Sequence, residues 1–340
     1  HPERIKELYK GYLNAGADVF NANTFGANRL HYPDNVKEII TAAVTLAKEA
    51  RTEAGREDAF ITIDIGPSGK LLEPLGDLSF EEAVDIFSEA IRAGADAGAD
   101  LVLIETMNDS YETKAAVLAA KENCDLPVFV SNAYDISERL LSGTDAKTMV
   151  AILEGLSVDA IGINCSLGPK QMKPIVEELC KYSSTPVFVC PNAGLPREEN
   201  GKTVFDVDAD EFTEIQKEFL SLGVHGIGGC CGTTPEFIKK LSLLKGEVTP
   251  LPLNEKNYTV VTSYANSVYF GERPVLIGER INPTGKPKFK QALKDNNISY
   301  ILAEASGQKD KKIDILDVNV GLPEIDETEM MCNSIKAIQA

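Results

Sequence analysis

No stretch of the 340 residues reaches the roughly 18–20 consecutive apolar positions that a bilayer-crossing helix needs, and no signal peptide opens the chain. Basic residues are scarce as well: 34 Lys and Arg stand against 52 Asp and Glu, a formal charge of −18. A phosphate backbone is repelled by such a protein unless a local basic patch intervenes. The lysines between Lys286 and Lys290 are too few to make one. Membrane and nucleic acid are therefore excluded as partners. A disulfide framework is also lacking, because the seven cysteines are odd in number and irregularly spaced. That usage points to a reducing cytoplasm, where an adjacent pair such as Cys230-Cys231 binds metal more readily than it forms a disulfide.

What is present is ordinary globular material, 43% hydrophobic and 25% charged, enough for one large α/β domain with part of another or for two modest domains. One phrase recurs through the first 245 residues: an amphipathic helix, a small-residue turn ending in Asp or His, then a short apolar strand. Ala15-Gly16-Ala17-Asp18 precedes VFNAN, Ala97-Gly98-Ala99-Asp100 precedes LVLIET, Ser157-Val158-Asp159 precedes AIGINC, and Leu222-Gly223-Val224-His225 precedes GIGGCC. Glycine ends a helix in the left-handed conformation without steric penalty. The strands alternate little, as expected where both faces are buried. They are expected near 18–22, 59–64, 100–105, 127–132, 158–164, 186–191 and 224–229, with helices such as Ser79 to Gly94 and Lys170 to Tyr182 between them. Such βαβ units give either a (β/α)8 barrel or a doubly wound sheet.

The strand ends favour the barrel. Asn21, Asn23, Thr24, Asp64, Glu105, Asn132, Asn164, Cys165, Asn192, Cys230 and Cys231 all stand at or just past a strand. In a TIM barrel those ends converge on one mouth, whereas a doubly wound sheet concentrates function at a single switch point. Seven strands are found and the chain opens in a helix at His1–Asn14, so the barrel's first strand is expected upstream. Residues 246–264 read as a linker. A second α/β domain is expected over 265–340, with strands at Pro274–Glu279 and Ile313–Asn319 and a helix from about Lys288.

A catalytic zinc usually keeps three protein ligands and leaves one position for water or substrate. Cys165 follows one strand and Cys230-Cys231 another, with Gly228-Gly229 before the pair and Gly232 after it to turn both sulfurs inward. Cys124, Cys180, Cys190 and Cys332 lack such settings and read as structural. Three thiolates leave a zinc site with a formal charge near −1, a weak acid toward water but suited to a soft incoming thiol. The expected chemistry is alkyl transfer to a substrate thiol.

NTFGAN at 23–28, DIGPSG at 64–69, Glu105 after LVLI, INCSLGP at 163–169, PNAGLP at 191–196 and GGCCGTTPE at 228–236 resemble the homocysteine S-methyltransferase family. The resemblance covers residues 1–245 and implies zinc held by Cys165, Cys230 and Cys231. It implies that Glu105 engages the amino group of homocysteine and that Thr24, Phe25 and Gly26 lie near its carboxylate end. Asp64 joins the substrate set, and Asn192 is similar to a residue that occupies the open zinc position when substrate is absent. IGERINPTGK at 277–286 and ILDVNVGLPEID at 315–326 look like the opening strands of a pterin-binding TIM barrel that takes methyltetrahydrofolate. There Glu279, Asn282, Asp317 and Asn319 match pocket positions, although Lys312-Ile313 stands where that barrel usually has Gly-Ala. A homocysteine barrel followed by a folate barrel is the order of cobalamin-dependent methionine synthases. The resemblance thus implies methyl transfer from methyltetrahydrofolate, through cobalamin on a module outside this chain, to homocysteine. Its alternatives are a corrinoid-independent methyltransferase using betaine or S-methylmethionine, and a non-catalytic binding fragment.

Overall fold

The computed structural model describes residues 1–199, 201–271 and 273–339. The chain divides into two compact units, His1–Lys256 and Asn257–Ala340. In the first, seven parallel strands form one curled sheet in the order β1 (Val19–Asn21), β2 (Phe60–Ile65), β3 (Leu101–Met107), β4 (Val128–Asn132), β5 (Ala160–Asn164), β6 (Val187–Cys190) and β9 (Val224–Ile227). A short antiparallel hairpin, β7 (Arg197–Glu199) with β8 (Lys202–Val204), interrupts the alternation after β6. The helices are α1 (Pro2–Asn14), α2 (Val36–Glu53), α3 (Phe80–Ala97), α4 (Ser110–Asn123), α5 (Ala146–Gly155), α6 (Pro169–Tyr182), α7 (Ala209–Leu222) and α8 (Pro235–Ser242). None of the described helices is long and apolar enough to cross a membrane.

The recurring turn phrase has a physical cause. Asp100 donates its N–H to the Ile61 carbonyl at 2.9 Å, and its Oδ2 accepts the Ile61 N–H at 2.8 Å. Asp159 grips Val128 in the same two-point manner, both bonds at 2.8 Å. Each aspartate ties the start of its strand to the start of the neighbouring one, satisfying a main-chain donor that the ladder leaves over. Glycines at the helix ends behave as expected, Gly98 at φ +86° and Gly223 at φ +111°. Ser157 takes φ +56° in the same role without being glycine. At the other ends Ser79 accepts the Glu82 N–H, and Asp109, Asp145 and Asp208 cap α4, α5 and α7.

Parallel strands buried on both faces supply the core, with Ile61, Ile63, Val102, Ile104, Val130 and Ile163 all at 0% exposure. The helical ring continues past the sheet's two ends: α1 meets α8, the Tyr12 hydroxyl donating to the Thr233 carbonyl at 3.2 Å, and Lys245 bridges to Asp18 at 2.6 Å. The sheet itself is not closed there, for β1 and β9 are its two edges among the described residues. Behind that seam lies a cavity of about 700 Å³, walled by Leu101, Leu103, Phe129 and Phe188 and reaching Glu105 and Cys230.

In the second unit, β10 (Thr259–Thr262) and β11 (Ser267–Phe270) form a hairpin, so part of the stretch expected as linker is strand. β12 (Ile277–Ile281) and β13 (Ile315–Val318) pair in parallel, with α9 (Pro287–Lys294), α10 (Ile298–Lys309) and α11 (Glu327–Gln339) around a small core that includes Ile281, Phe289, Leu293 and Ile301. Asp314 repeats the clamp seen in the first unit, donating to the Leu276 carbonyl at 2.9 Å and accepting its N–H at 2.9 Å.

Candidate metal and substrate site

Three sulfurs meet at the carboxyl ends of β5 and β9. Cys165 Sγ is 3.9 Å from Cys231 Sγ, Cys230 Sγ is 4.0 Å from Cys231 Sγ, and all three lie within 4.8 Å of one another. A tetrahedral zinc with Zn–S bonds near 2.3 Å requires sulfurs about 3.8 Å apart, so the donor set fits that ion in both chemistry and spacing. Adjacent cysteines would point to opposite faces in a regular strand. They converge here because the chain leaves the sheet at Gly228 and is pinned outside it: Cys230 N–H bonds the Pro191 carbonyl at 2.8 Å, and Cys231 N–H bonds Asn192 Oδ1 at 3.1 Å. Gly232 completes the turn at φ +82°, where a Cβ would run into the Phe205 ring. Cys165 is presented by an equally unusual backbone, φ +58°, followed by Ser166 at φ +56°.

The thiols share one another's protons. Hydrogen bonding from Cys230 lowers Cys165 to about 6, while the same contact raises Cys230 above the ordinary thiol range. Burial, aided by the charge on Cys165, raises Cys231. Without a cation the cluster therefore favours a single thiolate on Cys165. Cys190, expected as structural, is pushed up to about 12 by burial, and Cys180 to about 11 for the same reason. Both are held as neutral thiols.

Beside the sulfurs sits a pair of carboxyl groups. Asp64, at the end of β2, is buried, and its Oδ1 has no hydrogen-bond partner. Burial, then the charge of Glu105, raises its pKa well above the ordinary carboxyl value. Burial also raises Glu105 to about 7. Two desolvated carboxyl groups joined by a hydrogen bond, one with an unused oxygen, suit an incoming cation such as an ammonium.

The other expected residues fall around this centre. Thr24 is buried with its hydroxyl committed to Asp64, donating to the main-chain carbonyl and accepting the N–H, both at 2.9 Å. Phe25 is 42% exposed and lays its ring over Gly66, while Gly26 faces open space. Asn192 is buried and uses its oxygen on Cys231 N–H, with its side chain also bonded to Cys165. Three polar residues in the network were not among the expected ligands: Asn164, Thr106 and Ser131. The Asn immediately before Cys165 was the available signal for the first of them. In the second unit Glu279 and Asp317 lie on β12 and β13, Asn282 and Asn319 just beyond them, so the four share the carboxyl end of one parallel pair. Asn282 Oδ1 accepts Thr284 N–H and Asn319 Oδ1 accepts Gly321 N–H, each shaping its own turn.

Residues 1–244 match the homocysteine S-methyltransferase family. The chain belongs to that family. It is therefore a member of a family of methyltransferase enzymes whose fold is the TIM-barrel-like α/β architecture described above. Among curated relatives, a methionine synthase of Mycobacterium leprae is 30% identical over 339 residues, and one of Mycobacterium tuberculosis is 29% identical over 335. Each alignment takes in 94% of this chain and 28% of the relative, so the chain spans little more than a quarter of those proteins. The metallated form of the Escherichia coli homocysteine methyltransferase MmuM superposes with a TM-score of 0.61 at 25% identity, covering 72% of this chain and 85% of that one. Its apo form gives a TM-score of 0.59 at 26% identity.

Proposed function

We propose that the first unit is the acceptor site of a methionine synthase: it binds zinc through Cys165, Cys230 and Cys231 and transfers a methyl group to the sulfur of homocysteine. The observation that carries this reading is the juxtaposition of three sulfurs at near-tetrahedral spacing with the desolvated Asp64–Glu105 pair. Bound zinc would supply the Lewis acidity that holds an incoming thiol deprotonated at neutral pH while leaving its sulfur nucleophilic. The protein residues then have separable tasks. Glu105, with Asp64 behind it, takes the substrate ammonium, and the loop of Thr24, Phe25 and Gly26 meets the carboxylate end. Asn192 holds the Cys231 backbone and supports Cys165 from the side. In the transfer, the thiol proton leaves to solvent and the sulfur lone pair forms a bond to the methyl carbon. The bond from that carbon to its carrier breaks, and its electron pair stays with the carrier.

Methyltetrahydrofolate is proposed as the methyl source, acting through cobalamin carried on a module outside this chain. Supporting this are the curated relatives, whose similarity runs on through the second unit, and the placement of Glu279, Asn282, Asp317 and Asn319 at one end of β12 and β13. Carboxylates and amides in such an array suit a pterin ring, which offers N–H donors and ring-nitrogen acceptors. The second unit is on this reading the start of a pterin-binding barrel, and the seam between β1 and β9 is the place of an eighth strand in the first.

The test is zinc content of anaerobically purified protein, wild type beside Cys230→Ala, with and without homocysteine. Bound zinc near one per chain, lost in the variant, with proton release when homocysteine binds, supports the reading. A folded wild type that takes up no zinc overturns it.

A further inference from the structure

Asn164 closes β5 one residue before Cys165, and its side chain is 1% exposed. Its Oδ1 accepts the Thr106 N–H at 2.9 Å and the Ser131 hydroxyl at 2.8 Å. Its Nδ2 donates to Thr106 Oγ1 at 2.8 Å and to Glu105 Oε2 at 3.2 Å, and stands 4.0 Å from Cys230 Sγ. Two acceptor sites and two hydrogens are thereby all in use.

The residue it grips most firmly is strained. Thr106 has φ +61°, a conformation that a β-branched side chain keeps only where its surroundings over-determine it. Asn164 supplies that determination by holding both the N–H and the hydroxyl of Thr106. The turn so fixed comes directly after Glu105. The same amide then reaches the Glu105 carboxylate itself, while the next residue along the chain delivers Cys165.

We propose that Asn164 is a positioning residue for amino-acid recognition. It aims the Glu105 carboxylate at the substrate ammonium and fixes its distance from the sulfur-binding end of the site. The inference rests on the functional reading above and deepens it: the site's preference for an α-amino thiol over the same thiol without its amine runs through Asn164. A residue that merely supported the fold would weaken both thiols alike.

The experiment measures binding of homocysteine and of 4-mercaptobutanoate, its deaminated counterpart, to the zinc-loaded chain by calorimetry, with zinc content as a separate readout. Wild type, Asn164→Ala, Asn164→Ser, Glu105→Gln and the Asn164→Ala/Glu105→Gln pair are compared. Losing a hydrogen bond to a charged group typically costs about 10–100-fold in an equilibrium constant. That loss is expected for homocysteine in both Asn164 variants, with zinc content kept and 4-mercaptobutanoate affinity little changed. In the pair, Asn164→Ala should add almost nothing to Glu105→Gln, because one acts through the other. Equal weakening of both thiols, an intact homocysteine preference, or additive losses in the pair would each overturn the proposal. Asn164→Ser, which keeps a hydroxyl in place of the amide, decides the matter if Asn164→Ala does not fold. A zinc-loaded wild type without preference for homocysteine overturns the functional reading and this inference together.

Discussion

Cys165 and Cys231 are 66 positions apart in the chain, yet their sulfurs stand 3.9 Å from each other. The approach is made by main-chain bonds rather than by the sulfurs: Cys165 N–H donates to the Cys190 carbonyl at 3.2 Å, and Ala193 N–H to the Cys231 carbonyl at 2.9 Å. The β6 end therefore holds both cysteine-bearing turns. A preformed site of this kind links metal binding to stability. At free zinc about 100-fold above its Kd, the first unit should gain about 2.7 kcal/mol over the metal-free form. Thermal melts with and without a chelator check this, and Cys231→Ala should remove most of the difference.

The carboxyl pair gives the metal-free protein a pH dependence of definite sign. Glu105 titrates near 7 in the fold and near 4.5 in the unfolded chain, so the fold binds its proton more tightly. Its stabilising contribution is complete below the unfolded value and is lost as pH rises through about 7. Each tenfold change in proton affinity corresponds to about 1.4 kcal/mol, so the full loss is at most about 3.5 kcal/mol. Denaturant melts of the metal-free protein from about pH 4.5 to about pH 6, below the range where the lowered Cys165 thiol ionises and acts with the opposite sign, should show stability falling across that window. Glu105→Gln should flatten the fall, and a wild-type curve rising over the same range would contradict the assignment.

The strands and the cysteine cluster were legible because parallel strands announce themselves as apolar runs and because strand ends of a barrel share one mouth. The order of the seven strands and the position of Glu105 and Asp64 follow from that alone. Less legible were features set by tertiary bonding. The hairpin of β7 and β8 has the exposed sequence Arg197–Glu199 opposite Lys202–Val204, with no apolar period to betray it. Asp100 and Asp159 were visible as turn residues, but their grip on the neighbouring strand depends on register, and Asp314, which makes the same grip, fell inside the expected strand Ile313–Asn319. Asn164 was visible as a strand-end amide; its four bonds depend on where Thr106 and Ser131 arrive from other strands.

Gly232 should be intolerant of a side chain for two reasons at once. Its φ of +82° disfavours any L residue, and a Cβ would collide with the Phe205 ring. The turn must shift to accept either insult, and the neighbouring Cys231 sulfur would shift with it. Gly232→Val should weaken zinc binding at least about tenfold, on the scale seen when support around a metal site is lost. Zinc competition against a colorimetric chelator measures it. Gly232→Val combined with Phe205→Ala removes the clash while keeping the backbone strain, so partial recovery in the pair separates the two causes.

The aspartate clamps predict a stability effect far from the chemistry. Asp159 Oδ2 is the side-chain acceptor for the N–H of Val128, a residue at 0% exposure at the start of β4, and it also meets Lys121 at 3.2 Å. The Lys121 contact is exposed and contributes little. Removing the carboxylate leaves a buried main-chain donor without its partner, which costs about 1–3 kcal/mol. Asp159→Ala should therefore lower the unfolding free energy of the first unit by that amount, whereas Lys121→Ala should change it by less than about 0.5 kcal/mol. Asp159→Asn should recover part of the loss, since its amide oxygen can still accept the Val128 N–H. Homocysteine affinity should be unaffected in all three variants, because Asp159 and Lys121 lie at the opposite end of the strands from the cysteines. Parallel denaturant melts and homocysteine titrations test both halves, and an Asp159→Ala protein as stable as wild type would show that the clamp is incidental.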